Sequence, residues 1–194
     1  IRDRFNISTK NRLRYPSIYS TTAHPIVDKQ MGRIYMYGYN NYDFSDGNFI
    51  FNAFDKDMNL LKQKNITLIN NGMTHDVGFT DKYMIIPDMP LKYDVNRIFN
   101  EKLPIYFDKE KGITRFGIFD VIDNKEPDWY YFKDNFFIFH FSNVYRRLQG
   151  FDIFACVMDE LYMEDFIDVD NLNNKDHVIR GELRSVSYTH LTLP

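Results

Sequence analysis

Three histidines in this 194-residue sequence each sit in or beside an apolar, strand-like stretch. His24 lies in Thr21-Thr22-Ala23-His24-Pro25, where the following proline biases its backbone towards extended geometry and so restricts the direction of the ring. His75 lies in Gly72-Met73-Thr74-His75-Asp76-Val77-Gly78-Phe79-Thr80. His140 lies in Phe136-Phe137-Ile138-Phe139-His140-Phe141-Ser142-Asn143, which reads as a strand buried on both faces. An imidazole in such a place needs a partner, because an unpaired buried polar group costs roughly 1–3 kcal/mol. For any one of them the ordinary reading is a core histidine bonded to a backbone carbonyl. The spacing opens a second reading. His24 to His75 is 51 positions and His75 to His140 is 65. Four-stranded propeller blades take about 40–50 residues, so one histidine per blade would bring three rings round a common axis. Three neutral imidazoles meeting there form a metal site suited to Fe, Zn, Cu or Ni.

Other chemistry is sparse. No Gly-rich phosphate loop, Cys-x-x-Cys pair or His-Glu-x-x-His pattern occurs. His177 follows the polar run Asn171-Leu172-Asn173-Asn174-Lys175-Asp176 and reads as a surface residue. His190 falls in Val186-Ser187-Tyr188-Thr189-His190-Leu191-Thr192-Leu193-Pro194, which resembles the translation of a transposon-end sequencing adapter. The expected division is therefore native domain over 1–185 and foreign sequence over 186–194. The start on Ile1, without Met, reads as entry into the middle of a domain.

The elements that would position these histidines are short strands. Strand-like segments fall at 33–38, 49–54, 64–69, 73–80, 83–86, 113–118, 129–132, 136–141, 151–158 and 178–184. A hairpin is expected at Asp81-Lys82, and one short helix over 94–101. Many short strands at roughly 8–12-residue spacing indicate an all-β sandwich, barrel or propeller.

Composition narrows the function. Hydrophobic residues at 44% and charged residues at 26% exclude disorder as the main state. A net charge of −3, from 24 basic and 27 acidic residues, gives no sign of a nucleic-acid binder. The lone Cys156 excludes a disulfide framework and fits a reducing compartment. No apolar run approaches a membrane span. The 18 Phe and 14 Tyr indicate β-structure and much flat apolar surface.

The contexts of the three histidines resemble the carotenoid cleavage oxygenase family, in the family's order. Thr22-Ala23-His24-Pro25 with Asp28 and Gly32 is similar to the segment round the first iron ligand. Met73-Thr74-His75-Asp76 with Phe79, Thr80 and Tyr83 resembles the second, and Ile86-Pro87-Asp88-Met89-Pro90-Leu91 the stretch after it. Thr114-Arg115-Phe116-Gly117-Ile118 resembles the strand between second and third ligands. Trp129-Tyr130-Tyr131-Phe132 and then Phe139-His140-Phe141-Ser142-Asn143 resemble the approach to the third. Gly181-Glu182-Leu183-Arg184 is similar to a late family strand. The run Val144-Tyr145-Arg146-Arg147 departs from the family in being basic.

The resemblance implies an all-β fold, part of a seven-bladed β-propeller, with half of the ring or less in this chain. It implies a non-haem Fe(II) held by His24, His75 and His140 and by a fourth histidine outside the chain, with glutamates that orient the rings also outside. No catalytic residue beyond the metal ligands is implied. The reaction implied is cleavage of a carotenoid or apocarotenoid C=C bond with O2 to aldehyde or ketone products. Stilbene-type cleavage is the alternative substrate reading, with retinoid-ester isomerohydrolysis behind it. A propeller without catalysis, binding an apolar ligand or a protein partner, is the alternative from another class. Phe139 is the expected cavity-lining residue. Family members often dock peripherally on membranes, and the reducing compartment would be cytoplasm or plastid. As part of a ring with open edges, the chain alone is expected to be neither stable nor active.

Overall fold

A computed structural model describes residues 21–39, 48–70, 72–100 and 102–159, together with the backbone of a strand at 182–188. Strand β1 (Ile26–Asp28) pairs antiparallel with β2 (Arg33–Tyr39). Strands β3 (Asn48–Asp55) and β4 (Leu60–Thr67) follow in order, giving a four-stranded meander. Alternation drives it: Tyr35 and Tyr37 on β2, and Phe49, Phe51 and Ala53 on β3, are buried on one face.

Strands β5 (Gly78–Thr80) and β6 (Tyr83–Asp88) form the hairpin expected at Asp81-Lys82. Asp81 takes φ 51°, a left-handed conformation that Asp tolerates in a tight turn. A small excursion follows, in which β7 (Leu91–Tyr93) pairs with β8 (Ile105–Phe107). Between them the short helix expected over 94–101 is a 3₁₀ helix at Val95–Asn100. It buries no residue, so no apolar face holds a longer helix together. Strands β9 (Arg115–Asp120) and β10 (Asp128–Tyr131) complete a second four-stranded sheet, in the order β10-β9-β6-β5. The third sheet contains β11 (Phe137–Arg147), β12 (Gly150–Met158) and β13 (Glu182–Tyr188). The β12–β13 ladder runs through Val186, Ser187 and Tyr188, which pair with Ile153, Asp152 and Phe151.

The middle sheet is buried on both faces. Met84, Ile86 and Phe119 join Tyr35, Tyr37, Phe49, Phe51 and Ile66 in one core. Ile85, Phe116 and Ile118 join Phe137, Ile138, Phe151 and Ile153 in another. Successive sheets stacked face to face in this way are the blade arrangement of a propeller.

Three expectations change. Of 73–80 only Gly78–Thr80 is strand, because the segment round His75 is held by side chains instead of a ladder. The strand expected at 64–69 begins earlier, at Leu60, carried by an exposed polar face. The strand through His140 is not buried on both faces throughout. Phe137 and Ile138 are buried, but the His140 side chain is 56% exposed. His177, His190 and the Asn-rich run 171–176 lie outside the described residues.

Candidate metal centre

Each histidine reaches the site on a different support. His24 stands just before β1, on a segment whose Thr22 N–H donates to the Tyr37 carbonyl at 2.7 Å. The His24 N–H donates to Thr22 Oγ1 at 2.9 Å, which turns the chain tightly before Pro25. His75 stands on the irregular run before β5. Met73 N–H donates to the Leu91 carbonyl at 2.8 Å, and the buried Thr74 hydroxyl donates to the Pro87 carbonyl at 3.1 Å. The Tyr37 hydroxyl then donates to the His75 carbonyl at 3.0 Å. These bonds replace the ladder that an extended segment otherwise needs. His140 stands on β11, in the third sheet.

The three rings converge. Centroid separations are 5.0 Å for His24–His75, 5.2 Å for His24–His140 and 5.0 Å for His75–His140, a nearly equilateral triangle. The planes cross steeply, at 67°, 84° and 83°, so the rings meet by their edges and not by stacking. One ring nitrogen from each lies within 4.8 Å of the others. Nε2 of His24 and Nε2 of His75 are 3.2 Å apart. Two imidazole nitrogens that share one ion at about 2.1 Å stand roughly 3.0–3.4 Å apart, depending on geometry. The donor set therefore fits a borderline metal ion of the kind imidazole prefers.

Electrostatics agree with a neutral His75 ring. Burial lowers the His75 pKa, and the neighbouring His140 and His24 lower it further, against an opposing pull from Asp76. A deprotonated imidazole presents the lone pair a metal needs.

Phe139, the expected lining residue, meets His75 edge to face with centroids 5.6 Å apart. A cleft of about 110 Å³ also adjoins His75, lined by Thr22, Ala23, Tyr37, Tyr39 and Thr74 among others. In the basic run that departs from the family, Arg147 is paired within its own hairpin and Arg146 reaches across to β6. Arg147 donates from Nε to Asp152 Oδ2 at 2.6 Å, and the Arg146 guanidinium lies 4.9 Å over the Tyr83 ring. Asp76 is the residue at this site that the sequence reading missed. The available signals were its position directly after His75 and its place in the family-like segment Met73-Thr74-His75-Asp76.

A family model described as retinal pigment epithelial membrane protein matches residues 3–193. Carotenoid 9,10(9',10')-cleavage dioxygenase 1 of Arabidopsis thaliana is 29% identical over 143 residues, which are 73% of this chain and 26% of that protein. The chloroplastic 9-cis-epoxycarotenoid dioxygenase NCED6 of Arabidopsis thaliana is 28% identical over 131 residues, 66% of this chain and 22% of that one. Among solved structures, the lignostilbene dioxygenase of Pseudomonas brassicacearum superposes with a TM-score of 0.59 at 19% identity, covering 71% of this chain and 29% of that chain. A cobalt-substituted Synechocystis apocarotenoid oxygenase superposes at 0.61 and 17% identity, covering 74% and 31%. The chain thus spans about a quarter of the length of the curated relatives it matches. Its sheets form part of the carotenoid oxygenase propeller fold. The match over residues 3–193 places the chain in the retinal pigment epithelial membrane protein family, that of the carotenoid cleavage oxygenases.

Proposed function

We propose that the whole protein is a non-haem Fe(II)-dependent dioxygenase that cleaves a conjugated C=C bond of a carotenoid or apocarotenoid with O2, giving aldehyde or ketone products. The observation that carries this is the convergence of His24, His75 and His140 within a chain of this family. These three residues would hold the iron, with a fourth histidine from outside the chain. Bound Fe(II) supplies the oxygen chemistry that no side chain can. The chain's own residues position and shield it. The Tyr37 hydroxyl and Thr74 fix the backbone at His75, and burial keeps that imidazole neutral. Phe139 sets an apolar wall against His75, against which a polyene would lie.

The printed names of the Arabidopsis relatives support a carotenoid substrate. The lignostilbene dioxygenase neighbour favours a stilbene-type alkene as the second reading. Peripheral membrane contact is supported by Ile98 and Phe99 on the 3₁₀ helix, exposed by 56% and 86%. Among the described residues no helix is long and apolar enough to cross a membrane. Location in cytoplasm or plastid, and the division into domain 1–185 and foreign residues 186–194, belong to the same proposal. An independently sequenced gene tests that division.

The deciding experiment measures iron in the whole protein, then products from β-carotene, an apocarotenal and a stilbene in parallel. Stoichiometric iron and aldehyde from a polyene are the expected results. Iron-free protein that binds a polyene without cleaving it would establish the non-catalytic alternative. His75→Ala is expected to abolish iron retention, and retained iron with normal turnover would sink the site assignment.

A further inference from the structure

The third sheet carries an irregularity where the third histidine stands. Ile138 pairs with Val157, but the next pair is Phe141 with Ala155, so β11 holds one residue more than β12 over that step. A second extra residue precedes the Asn143–Phe154 pair. Bulges of this kind leave backbone groups outside the ladder and re-aim the side chains beside them. Here an amide beside His140 is caught from a different sheet region. Phe141 N–H donates to Oδ2 of Asp76 at 2.9 Å, across 65 positions of sequence.

The same oxygen stands 3.9 Å from Nδ1 of His140. That is longer than a hydrogen bond, yet close enough for a carboxylate charge to act on an imidazole. The other oxygen of Asp76 accepts Val77 N–H at 2.8 Å, so both ends of the carboxylate are held. The side chain is only 16% exposed. Asp76 also follows His75 directly in the chain.

We propose that Asp76 is a positioning residue of the metal centre: by holding the Phe141 amide and facing Nδ1 of His140, it sets the third imidazole against the second. With Nδ1 turned to the carboxylate, Nε2 of His140 is left for the cluster. A single residue thereby ties a ligand on the irregular run before β5 and a ligand on β11 into one geometry. The inference rests on the metal-centre reading above.

Co(II) is the probe, titrated into the metal-free whole protein and followed by its ligand-field spectrum. Removal of a carboxylate that orients a metal-bound histidine typically costs about 10–100-fold in affinity, and that loss is expected for Asp76→Ala together with an altered spectrum. Asp76→Asn keeps one acceptor oxygen for Phe141 N–H, but it lacks the charge and the second acceptor that serves Val77 N–H. Its affinity is expected to fall by about 10-fold, the lower end of that range. Wild-type affinity and spectrum in either variant overturns the inference, including the case in which only the metal-free melting temperature drops. If Asp76→Ala fails to fold, Asp76→Asn alone decides. A wild-type protein that binds no Co(II) overturns the metal-centre reading and this inference with it. Tight binding by wild type and variants alike overturns this inference alone.

Discussion

Phe139 and His75 meet at 88°, edge to face, which places an apolar surface beside the ligand triangle without filling it. Phe139 also packs edge-on against the buried Phe137, with centroids 5.3 Å apart, so its ring is braced from behind. A braced wall can hold an extended apolar substrate in place, where a mobile one would lose binding energy to ordering. Phe139→Ala is therefore expected to leave iron content unchanged and to lower kcat/KM for a long polyene by about 10–100-fold, matching the roughly 1.5–3 kcal/mol of an apolar side chain's burial. Steady-state kinetics beside iron analysis checks this, and an unchanged kcat/KM would remove Phe139 from the substrate path. At this scale the sequence was informative where chemistry is rare. Three histidines in apolar surroundings stood out by type, their spacing was suggestive, and the likeness of their contexts to family segments singled them out. Asp76 did not stand out, since one aspartate after a histidine carries no pattern, and its partner Phe141 N–H lies 65 positions away.

The strands themselves were legible because alternation is a local signal. Tyr35 and Tyr37 on β2, or Ile153 and Ala155 on β12, declare their buried face within a few residues. The strands β1, β7 and β8, of three residues each, gave too few residues for any period to register. The bulges of β11 were hidden for another reason. Phe136-Phe137-Ile138-Phe139-His140-Phe141 is apolar at nearly every position, so an inserted residue disturbs no pattern. Their consequence is large, because a one-residue slip moves a side chain to the opposite face. That is why His140 emerges at the site instead of staying in the core. Gly78 on β5 makes room for this strand. A Cβ there would stand 2.6 Å from Val144 Cγ2 and 3.1 Å from Phe141 Cδ1, both on β11. Gly78→Ala is accordingly expected to destabilise the whole protein by about 1–3 kcal/mol, the usual cost of overpacking. It should also weaken Co(II) binding, since β11 must shift with His140 upon it. Urea denaturation and metal titration measure the two effects, and a variant as stable as wild type would show that β11 is not tightly seated on Gly78.

Across the molecule, the sheets must keep their mutual angle if ligands from separate sheets are to meet. Apolar packing on both faces of the middle sheet supplies cohesion, but it is non-directional. Direction comes from a buried polar clamp. Asp88, at the end of β6, is 1% exposed and accepts from Ile69 N–H at 2.8 Å, from Asn70 Nδ2 at 2.8 Å and from Arg115 Nε at 2.7 Å. Arg115 in turn donates to the Thr67 carbonyl at 3.3 Å, at the end of β4, and its guanidinium lies 3.8 Å over the Trp129 ring. The first and second sheets are thus joined at one point by a charged pair with nearly all its hydrogen-bonding capacity used. The residues were visible in the sequence as parts of family-like segments, yet their pairing was not. A buried Asp–Arg contact between positions 27 apart leaves no periodic trace. Breaking such a pair from one side leaves an uncompensated buried charge, which costs about 3–5 kcal/mol. Arg115→Met is expected to destabilise the whole protein by about that amount. Pairing it with Asp88→Leu should not restore stability, because the Ile69 amide and the Asn70 side chain would lose their acceptor as well. If the clamp sets the angle between sheets, iron content should fall in Arg115→Met under conditions where the protein remains folded. Denaturant titration with iron analysis separates the cases. Recovery of wild-type stability in the double variant would show that the pair contributes charge balance alone, and full iron content in folded Arg115→Met would show that apolar packing is enough to hold His24 against His75.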